Sequence, residues 1–417
     1  MRFIHTADIH LDSPLKGLEV HEDAPVEEIR IATRRAFDRL IELAVEEEVD
    51  FVLIAGDLYD GDWKDYNTGH FFVDRLGRLA KAGIRVFLVT GNHDAASQIT
   101  RTMPLPGNTT LFPSARPQSV QLDDLGVFIH GQSYPSRAVT ENLAARYPQR
   151  EAGYFNIGLL HTSLTGREGH ENYAPCSTDE LLSKGYDYWA LGHVHRREVV
   201  AEDPWIVFPG NIQGRHIRET GAKGATLVVV EDGRIVDVAQ RELDVLRWSL
   251  CNIDLSGCAT RDVVHEQVRH AMENAQQLAG GKALALRLLL EGRCPMHAEL
   301  HARSDRWTEE FRAIAISMGD IWLEKVQFRT RRMADLDDIL DGNSPLAGLL
   351  RSIECLEFGD APLTTLVPDL ADLKRKMPPE LLDDDSLLEN PSAALTELRE
   401  EVRELLIARM LHQGGEA

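Results

Sequence analysis

The sequence predicts a mixed α/β protein with a large α/β region, a small α+β region and a helical C-terminal region. Residues 1–245 alternate short apolar runs with amphipathic helical segments, and polar blocks rich in Asp, His and Asn follow several of the runs. The length of 417 residues is too great for one ordinary hydrophobic core. We therefore expect three domains, at 1–245, 246–332 and 333–417.

The first region is expected to form strands and helices in alternation. Residues 29–48 place apolar side chains at helical spacing between the first two strands. The polar blocks come at or just after the ends of strands, where loops of an α/β sheet converge above a rigid floor. The predicted strands are residues 2–7, 51–55, 86–90, 127–130, 155–160, 188–191, 206–208, 225–230 and 235–239.

The second region has enough elements for a small α+β domain with its own core. Its predicted elements are a strand at 248–255, a helix at 261–278, a strand at 283–290, a helix at 305–318 and a strand at 321–328.

The third region is predicted to be helical and acidic. Asn343-Ser344-Pro345 is typical of a helix start, and Asn390-Pro391 opens a second helix with apolar residues at three- and four-residue spacing. Such a terminal helix either packs on its own domain or docks on a partner helix.

The net charge of −22 is unusual for an enzyme that acts on nucleic acids, because such enzymes generally present a basic face. More than half of this charge lies in residues 335–417, which carry 19 acidic and 7 basic residues. The acidity argues against strong non-specific binding of DNA by this chain alone. It does not exclude DNA as a substrate if a partner protein binds the DNA.

Cysteine use and the apolar runs predict a cytoplasmic location. The five cysteines form no CxxC pair, which favours free thiols in a reducing compartment over disulfides or a zinc ribbon. No apolar run approaches the length of a membrane span, and residues 2–7 lead into the first polar block without a signal peptide. We expect no membrane association.

Five polar blocks in the first half of the chain carry residue types that bind divalent cations. Hydrolysis of a phosphate ester benefits from two such cations about 3.5–4 Å apart. A carboxylate that leaves a buried strand is costly unless a cation or a donor meets it. The blocks are Asp8-Ile9-His10, Gly56-Asp57-Leu58-Tyr59-Asp60, Gly91-Asn92-His93-Asp94, His161 and Gly192-His193-Val194-His195.

Each block alone has an ordinary explanation, such as a hydrogen-bonded loop histidine at His161. Asp8 and His10 can face one point because alternate residues of an extended segment share a face. His193 and His195 have the same spacing after another apolar run. Seven nitrogen and oxygen ligands at strand ends, in this order, are hard to explain without bound metal.

In their order, DxH, GDxxD, GNHD, H and GHxH, the blocks resemble the calcineurin-like metallophosphoesterase superfamily. Residues 5–11 resemble the SbcD type of DNA double-strand-break repair nuclease. Residues 161–176 and 209–216 are similar to the YhaO-type branch of that group. The resemblance implies a β-sandwich flanked by helices, followed by a small α+β capping domain and a helical C-terminal tail.

The resemblance also implies a site with two divalent cations bridged by Asp57. The first cation would be held by Asp8, His10, Asp57 and His195. The second would be held by Asp57, Asn92, His161 and His193. Manganese suits this mixture of oxygen and imidazole ligands, with iron or zinc as alternatives.

Two further residues of the blocks have implied catalytic roles. His93 would protonate or stabilise the leaving oxygen, and Asp60 would orient His93. A group of basic residues beyond the ligand blocks could bind substrate phosphates, although solvated surface positions explain them equally well. This group is Arg196, Arg215, His216 and Arg218.

These features together predict a metal-dependent DNA exonuclease or endonuclease in double-strand-break repair or end processing. Family resemblance implies a homodimer and a coiled-coil ATPase partner of the SbcC/YhaN type. One alternative is a phosphodiesterase or nucleotidase for small phosphate esters, which needs the same metals; the second region and the YhaO-like stretches favour DNA. A non-enzymatic scaffold is a second alternative, disfavoured because no ligand is missing.

Overall fold

The computed structural model describes residues 1–13, 31–60, 66–96, 104–164, 173–332 and Gly348. The predicted helices of the C-terminal region therefore lie outside the described residues. Contacts between Cα atoms divide the chain into two units. The first consists of Met1–Leu250, Ala275–Arg287 and Asp320–Glu324. The second consists of Cys251–Asn274, Leu288–Gly319 and the chain from Lys325 onward.

One six-stranded sheet carries the N-terminus of the chain. Its strands are β1 (Arg2–Thr6), β2 (Phe51–Ala55), β3 (Arg85–Val89), β4 (Thr109–Leu111), β11 (Gly224–Glu231) and β12 (Arg234–Glu242). Their order is β12-β11-β1-β2-β3-β4. Strands β1 to β4 are parallel, whereas β11 runs antiparallel to both of its neighbours. The carboxyl ends of β1, β2 and β3 therefore lie at one edge.

A second six-stranded sheet packs against the first. Its strands are β5 (Gln118–Leu122), β6 (Val127–Gly131), β7 (Phe155–His161), β8 (Tyr188–Gly192), β9 (Glu198–Glu202) and β10 (Trp205–Phe208). Their order is β5-β6-β7-β8-β10-β9, with β6, β7, β8 and β10 parallel. The edge strands β5 and β9 are antiparallel to their neighbours.

Successive side chains of the central strands point to opposite faces of the sheet and so contribute to two hydrophobic cores. In β2, Phe51 and Leu53 belong to the core between the sheets, while Val52 and Ile54 belong to the core under helices α1 (Ala32–Glu46) and α2 (Tyr66–Lys81). A parallel strand covered on both faces is apolar throughout, as β2 is. Burial of each such side chain contributes about 1.5–3 kcal/mol, which makes the strand ends rigid supports for loops.

The remaining elements of the described residues include four helices and a three-stranded sheet. The short helix α3 (Thr178–Leu182) begins with a capping box between Ser177 and Glu180. Strands β13 (Leu246–Asp254), β14 (Ala283–Glu291) and β15 (Ile321–Phe328) form a three-stranded sheet in that order. The last helices are α4 (Arg261–Leu278), α5 (His297–Ala302) and α6 (Ser304–Met318).

The predicted α/β class is confirmed, with two helix-flanked sheets as the resemblance implied. Every predicted strand is present, with ends that differ by at most a few residues. The short strands β4, β5 and β9 and the helices α2, α3 and α5 were not individually predicted from the sequence. The boundaries at 245 and 332 stay predictions. Among the described residues, no helix combines the length and apolarity that crossing a membrane would require.

Candidate metal centre

The seven proposed ligands lie at the carboxyl ends of strands in both sheets. Asp8 and His10 follow β1, Asp57 follows β2, and Asn92 follows β3. In the second sheet, His161 is the last residue of β7, and His193 and His195 come directly after β8. All belong to the first unit. The structure thus places the sequence-predicted ligands at one edge of the sandwich.

The backbone at this edge is strained at four ligands. The φ angles of Asp8, His10, Asp57 and His193 are 50°, 46°, 52° and 106°. Such values are uncommon for residues other than glycine, cost about 1–3 kcal/mol each and persist only where the surroundings impose them. Here the loops brace one another, since Asp8 N–H donates to Gly56 O at 3.0 Å and His10 N–H to Asp57 O at 3.1 Å. Strain of this kind clusters at functional sites.

Glycines before the ligands allow the loops to approach closely. A Cβ on Gly91 would collide with the Asp57 carboxylate and lie 2.8 Å from His161 Nε2. A Cβ on Gly192 would collide with the Ala55 carbonyl. Gly91 is therefore required by packing against ligand side chains, and Gly192 by packing against the backbone of β2.

The first group of ligands surrounds His161. Its Nδ1 donates to Ala55 O at 2.8 Å, so Nε2 carries a lone pair. That Nε2 faces Asn92 Oδ1 at 2.9 Å and Asp57 Oδ2 at 3.5 Å, and His193 Nδ1 lies 3.3 Å from the same Asn92 oxygen. Burial lowers the pKa of His161, which keeps the ring neutral. Oxygen and nitrogen atoms of four side chains, those of Asp57, Asn92, His161 and His193, therefore converge, each within about 3.5 Å of another.

The second group surrounds His195. His195 Nδ1 donates to Glu219 Oε1 at 2.6 Å, so Nε2 of the neutral ring carries a lone pair. This Nε2 lies 3.3 Å from His10 Nε2 and 3.9 Å from Asp8 Oδ1. A histidine that donates one ring N–H to a carboxylate and aims the other nitrogen at two ligand atoms has the arrangement found at metal sites.

The two groups are joined through their carboxylates. His193 N–H donates to Asp8 Oδ2 at 3.0 Å, and His93 N–H donates to Asp57 Oδ1 at 3.0 Å. Burial, and then the charge of Asp57, raise the pKa of Asp8 well above its ordinary value. Two buried carboxylates that repel each other are costly unless cations offset them.

The donor set and its geometry fit two divalent cations. One would be held by Asp8, His10, Asp57 and His195, and the other by Asp57, Asn92, His161 and His193. The convergence of lone pairs and the repulsion between Asp8 and Asp57 are both relieved by positive charge. The structure also brings Asp8, His10 and His195 together as one potential metal-holding cluster, and Asp57, His161 and His193 as another.

His93 and Asp60 lie beside these clusters. His93 Nδ1 is 3.0 Å from Asp60 Oδ1, and the His93 ring packs edge-on against His10 at 5.0 Å between centroids. Burial lowers the pKa of His93, but the hydrogen bond to Asp60 and the charge of Asp57 outweigh it and leave the pKa above its ordinary value. His93 and Asp60 are therefore paired in the structure, and the acid role of His93 stays a prediction.

The sequence reasoning missed Glu219, which the structure buries beside the site. Its Oε1 accepts from His195, and its Oε2 accepts from Asn211 Nδ2 at 2.8 Å and from Arg215 N–H at 2.7 Å. Burial raises the pKa of Glu219, but Arg215 and His195 hold it well below its usual range. No motif marks this residue, because its role depends on a histidine 24 positions earlier in the chain.

Two further residues brace the loops. Asp94 closes the third block, and its carboxylate accepts from the backbone N–H groups of Leu58 at 3.0 Å and Tyr59 at 2.9 Å. It thereby ties the Asp57 loop to the Asn92 loop. Ser13 Oγ donates to Asp60 Oδ2 at 2.8 Å. Asp94 lay within a recognised block without an assigned role, and Ser13 gave no signal.

The predicted phosphate-binding residues separate into two kinds. Arg196 and Arg218 are exposed and His216 is half-buried. The side chain of Arg215 is only 14% exposed and turns inward toward the carboxylates of the site. The structure places all four in the loops that follow β8 and β10.

Comparison with known proteins agrees with this geometry. The family described as calcineurin-like phosphoesterase matches residues 1–197, and the middle domain of the metallophosphoesterase YhaO matches residues 248–331. An uncharacterized metallophosphoesterase YhaO from Bacillus subtilis is 38% identical over 299 residues, which are 71% of this chain and 72% of that protein.

Two more distant similarities were found. The DNA double-strand break repair protein Mre11 from Methanopyrus kandleri is 26% identical over 300 residues, covering 64% of this chain and 62% of that protein. The crystal structure of a dimetal phosphatase from Danio rerio aligns with a TM-score of 0.35 and 11% identity, covering 56% of this chain and 93% of that one.

Proposed function

Because this chain belongs to the calcineurin-like metallophosphoesterases, within the family of YhaO, we propose that it hydrolyses phosphodiester bonds of DNA with two divalent cations. The observation that carries the hydrolytic part of this proposal is the convergence of two ligand clusters beside a paired His93 and Asp60. Manganese is the proposed cation, since the ligands mix carboxylate, amide and imidazole groups; iron and zinc are the alternatives.

The residues of the site have separable tasks in this reaction. The bound cations would supply Lewis-acid stabilisation of charge on the phosphoryl oxygens. His93, kept protonated by Asp60, would give its proton to the leaving oxygen. The backbone N–H of His93 donates to Asp57, so the acid is positioned by the same carboxylate that would hold both cations.

DNA as the substrate is supported by the relatives and not by the ligands. The similarity to Mre11, a DNA double-strand break repair protein, extends over 64% of this chain. Exposed Arg196 and Arg218 beside the site are suited to contact phosphates beyond the one that reacts. A small phosphate ester would need no such contacts.

We further propose a homodimer and a coiled-coil ATPase partner of the SbcC/YhaN type. Support for a partner comes from the net charge of −22, because a chain this acidic needs another protein to hold DNA firmly. A partner-binding role for residues 333–417 and a cytoplasmic location stay predictions from the sequence.

A panel of substrates with manganese tests the proposed function. We expect cleavage of end-labelled single- or double-stranded DNA, lost on chelation and restored by manganese, because the bound cations would supply the Lewis-acid stabilisation that hydrolysis needs. Cyclic nucleotides and aryl phosphates provide the comparison. Efficient turnover of these small esters without any cleavage of DNA would overturn the choice of substrate and favour the small-molecule phosphodiesterase.

A further inference from the structure

Arg215 lies where three loops of the metal centre meet. It follows β10, whereas Ser13 belongs to the loop after β1 and Asp60 to the loop after β2. One end of its guanidinium, Nη1, is 3.8 Å from Asp60 Oδ2 and 3.4 Å from Ser13 Oγ. The other end, Nη2, is 3.5 Å from Glu219 Oε1. One planar cation therefore spans two carboxylates that serve different histidines.

Each of the two carboxylates contacts a different histidine of the site. Asp60 holds His93, the proposed acid, at 3.0 Å, and Glu219 holds His195, a proposed metal ligand, at 2.6 Å. The guanidinium of Arg215 lies within 4 Å of both carboxylates, with Nη1 toward Asp60 and Nη2 toward Glu219. It can therefore fix the position of one carboxylate relative to the other.

The burial of Arg215 argues against a direct hydrogen bond from its side chain to a substrate phosphate. Its side chain is 14% exposed, and its Nε is buried without a hydrogen-bond partner among the described residues. The N–H groups at both ends already face carboxylates. By contrast, Arg218, three residues later, is exposed.

We infer that Arg215 is a positioning residue that couples the proton donor to the metal ligands by bridging Asp60 and Glu219. Its rigid fork suits this task, because a guanidinium can meet two carboxylates at fixed separation whereas an ammonium is a single point charge. The inference rests on the proposed hydrolysis of phosphodiesters, but not on DNA being the substrate.

The test compares Arg215→Ala and Arg215→Lys with the native full-length chain on DNA and on bis(4-nitrophenyl) phosphate. Loss of a residue that supports a metal ligand costs roughly 10–100-fold, so we expect kcat of Arg215→Ala to fall by that factor on both substrates with KM nearly unchanged. Arg215→Lys keeps the charge and should recover part of the loss. Arg234→Ala, an exposed arginine on β12, is the matched control and should behave like the native chain.

Two further measurements separate positioning from other roles. Manganese affinity measured by titration calorimetry should weaken in Arg215→Ala, a readout that needs no substrate. In the Glu219→Gln background, Arg215→Ala should cost less than it does alone, because residues that act as one unit are not additive.

The inference fails if Arg215→Ala raises KM for DNA while kcat and turnover of the small diester stay native, since that result describes a phosphate contact. It also fails if the small diester is turned over at the native rate with native metal affinity. If Arg215→Ala does not fold, Arg215→Lys alone must still lower kcat on both substrates. Absence of DNA cleavage with an intact small-diester activity would refute the proposed substrate and leave the inference testable.

Discussion

Asp57→Asn is expected to reduce phosphodiester hydrolysis by about 10³-fold or more, because loss of metal-ion catalysis removes several kcal/mol of transition-state stabilisation. Asp57 is buried in the cluster with His161 and His193, lies 3.5 Å from His161 and accepts a hydrogen bond from the backbone N–H of His93. Asparagine keeps the shape and tolerates the φ of 52°, so the substitution removes charge with little change in the backbone. Turnover of DNA and of bis(4-nitrophenyl) phosphate, with metal content measured on the same samples, checks the result.

Asp232→Asn is the matched control for this substitution. Asp232 has a similar φ of 49° but is exposed in the turn between β11 and β12. The control should retain native activity. If Asp57→Asn keeps substantial activity together with a full complement of metal, Asp57 does not bridge the cations and the assignment of the site is wrong.

His93→Ala should separate proton transfer from metal binding. We expect hydrolysis to fall by about 10²–10⁴-fold, the contribution typical of a general acid. Metal content should stay near native, because the contact between His93 and Asp57 is made by the backbone N–H, which alanine retains. Metal analysis and single-turnover kinetics on the same preparation measure both quantities.

The metal measurement is decisive because His10, Asp60 and His93 also lie close enough together to hold a cation. Loss of metal along with activity would make His93 a ligand instead of an acid. His70→Ala, at an exposed histidine of α2, controls for the general effect of removing an imidazole and should leave both quantities unchanged.

The ligand positions could be predicted from the sequence because local rules determine them. Each ligand block follows a run of apolar residues, and parallel strands bring their carboxyl ends to one edge. His161 illustrates this, since its place at the end of β7 follows from the apolar residues before it. The acid pair of His93 and Asp60 came from the family resemblance, and the 3.0 Å separation in the structure agrees with it.

The supports around the ligands could not be predicted, because they depend on contacts between distant parts of the chain. The basic residues next to Glu219 in the sequence predict a surface loop. In the structure, however, Glu219 is buried against His195. Arg215 had the same sequence signal as exposed Arg218, and only the fold distinguishes an inward guanidinium from an outward one.

Three edge strands, β4, β5 and β9, were missed, whereas the edge strand β12 was predicted. Strand β9 is only partly buried, and its partner β10 shifts register between Ile206 and Val207. Four successive residues of β9 are partly buried, so its apolar and polar residues do not separate onto a buried face and an exposed face. Strand β2, buried on both faces, was unmistakable.

The most direct test of the two-cation site is the metal stoichiometry of the full-length chain. Bound metal would be removed from the chain with a chelator, and the chain would then be dialysed against excess manganese. Its metal content would be measured by elemental mass spectrometry. We predict two manganese ions per chain, because the ligands form two clusters and Asp57 is proposed to hold both cations. A single ion per chain, or none, would contradict the account.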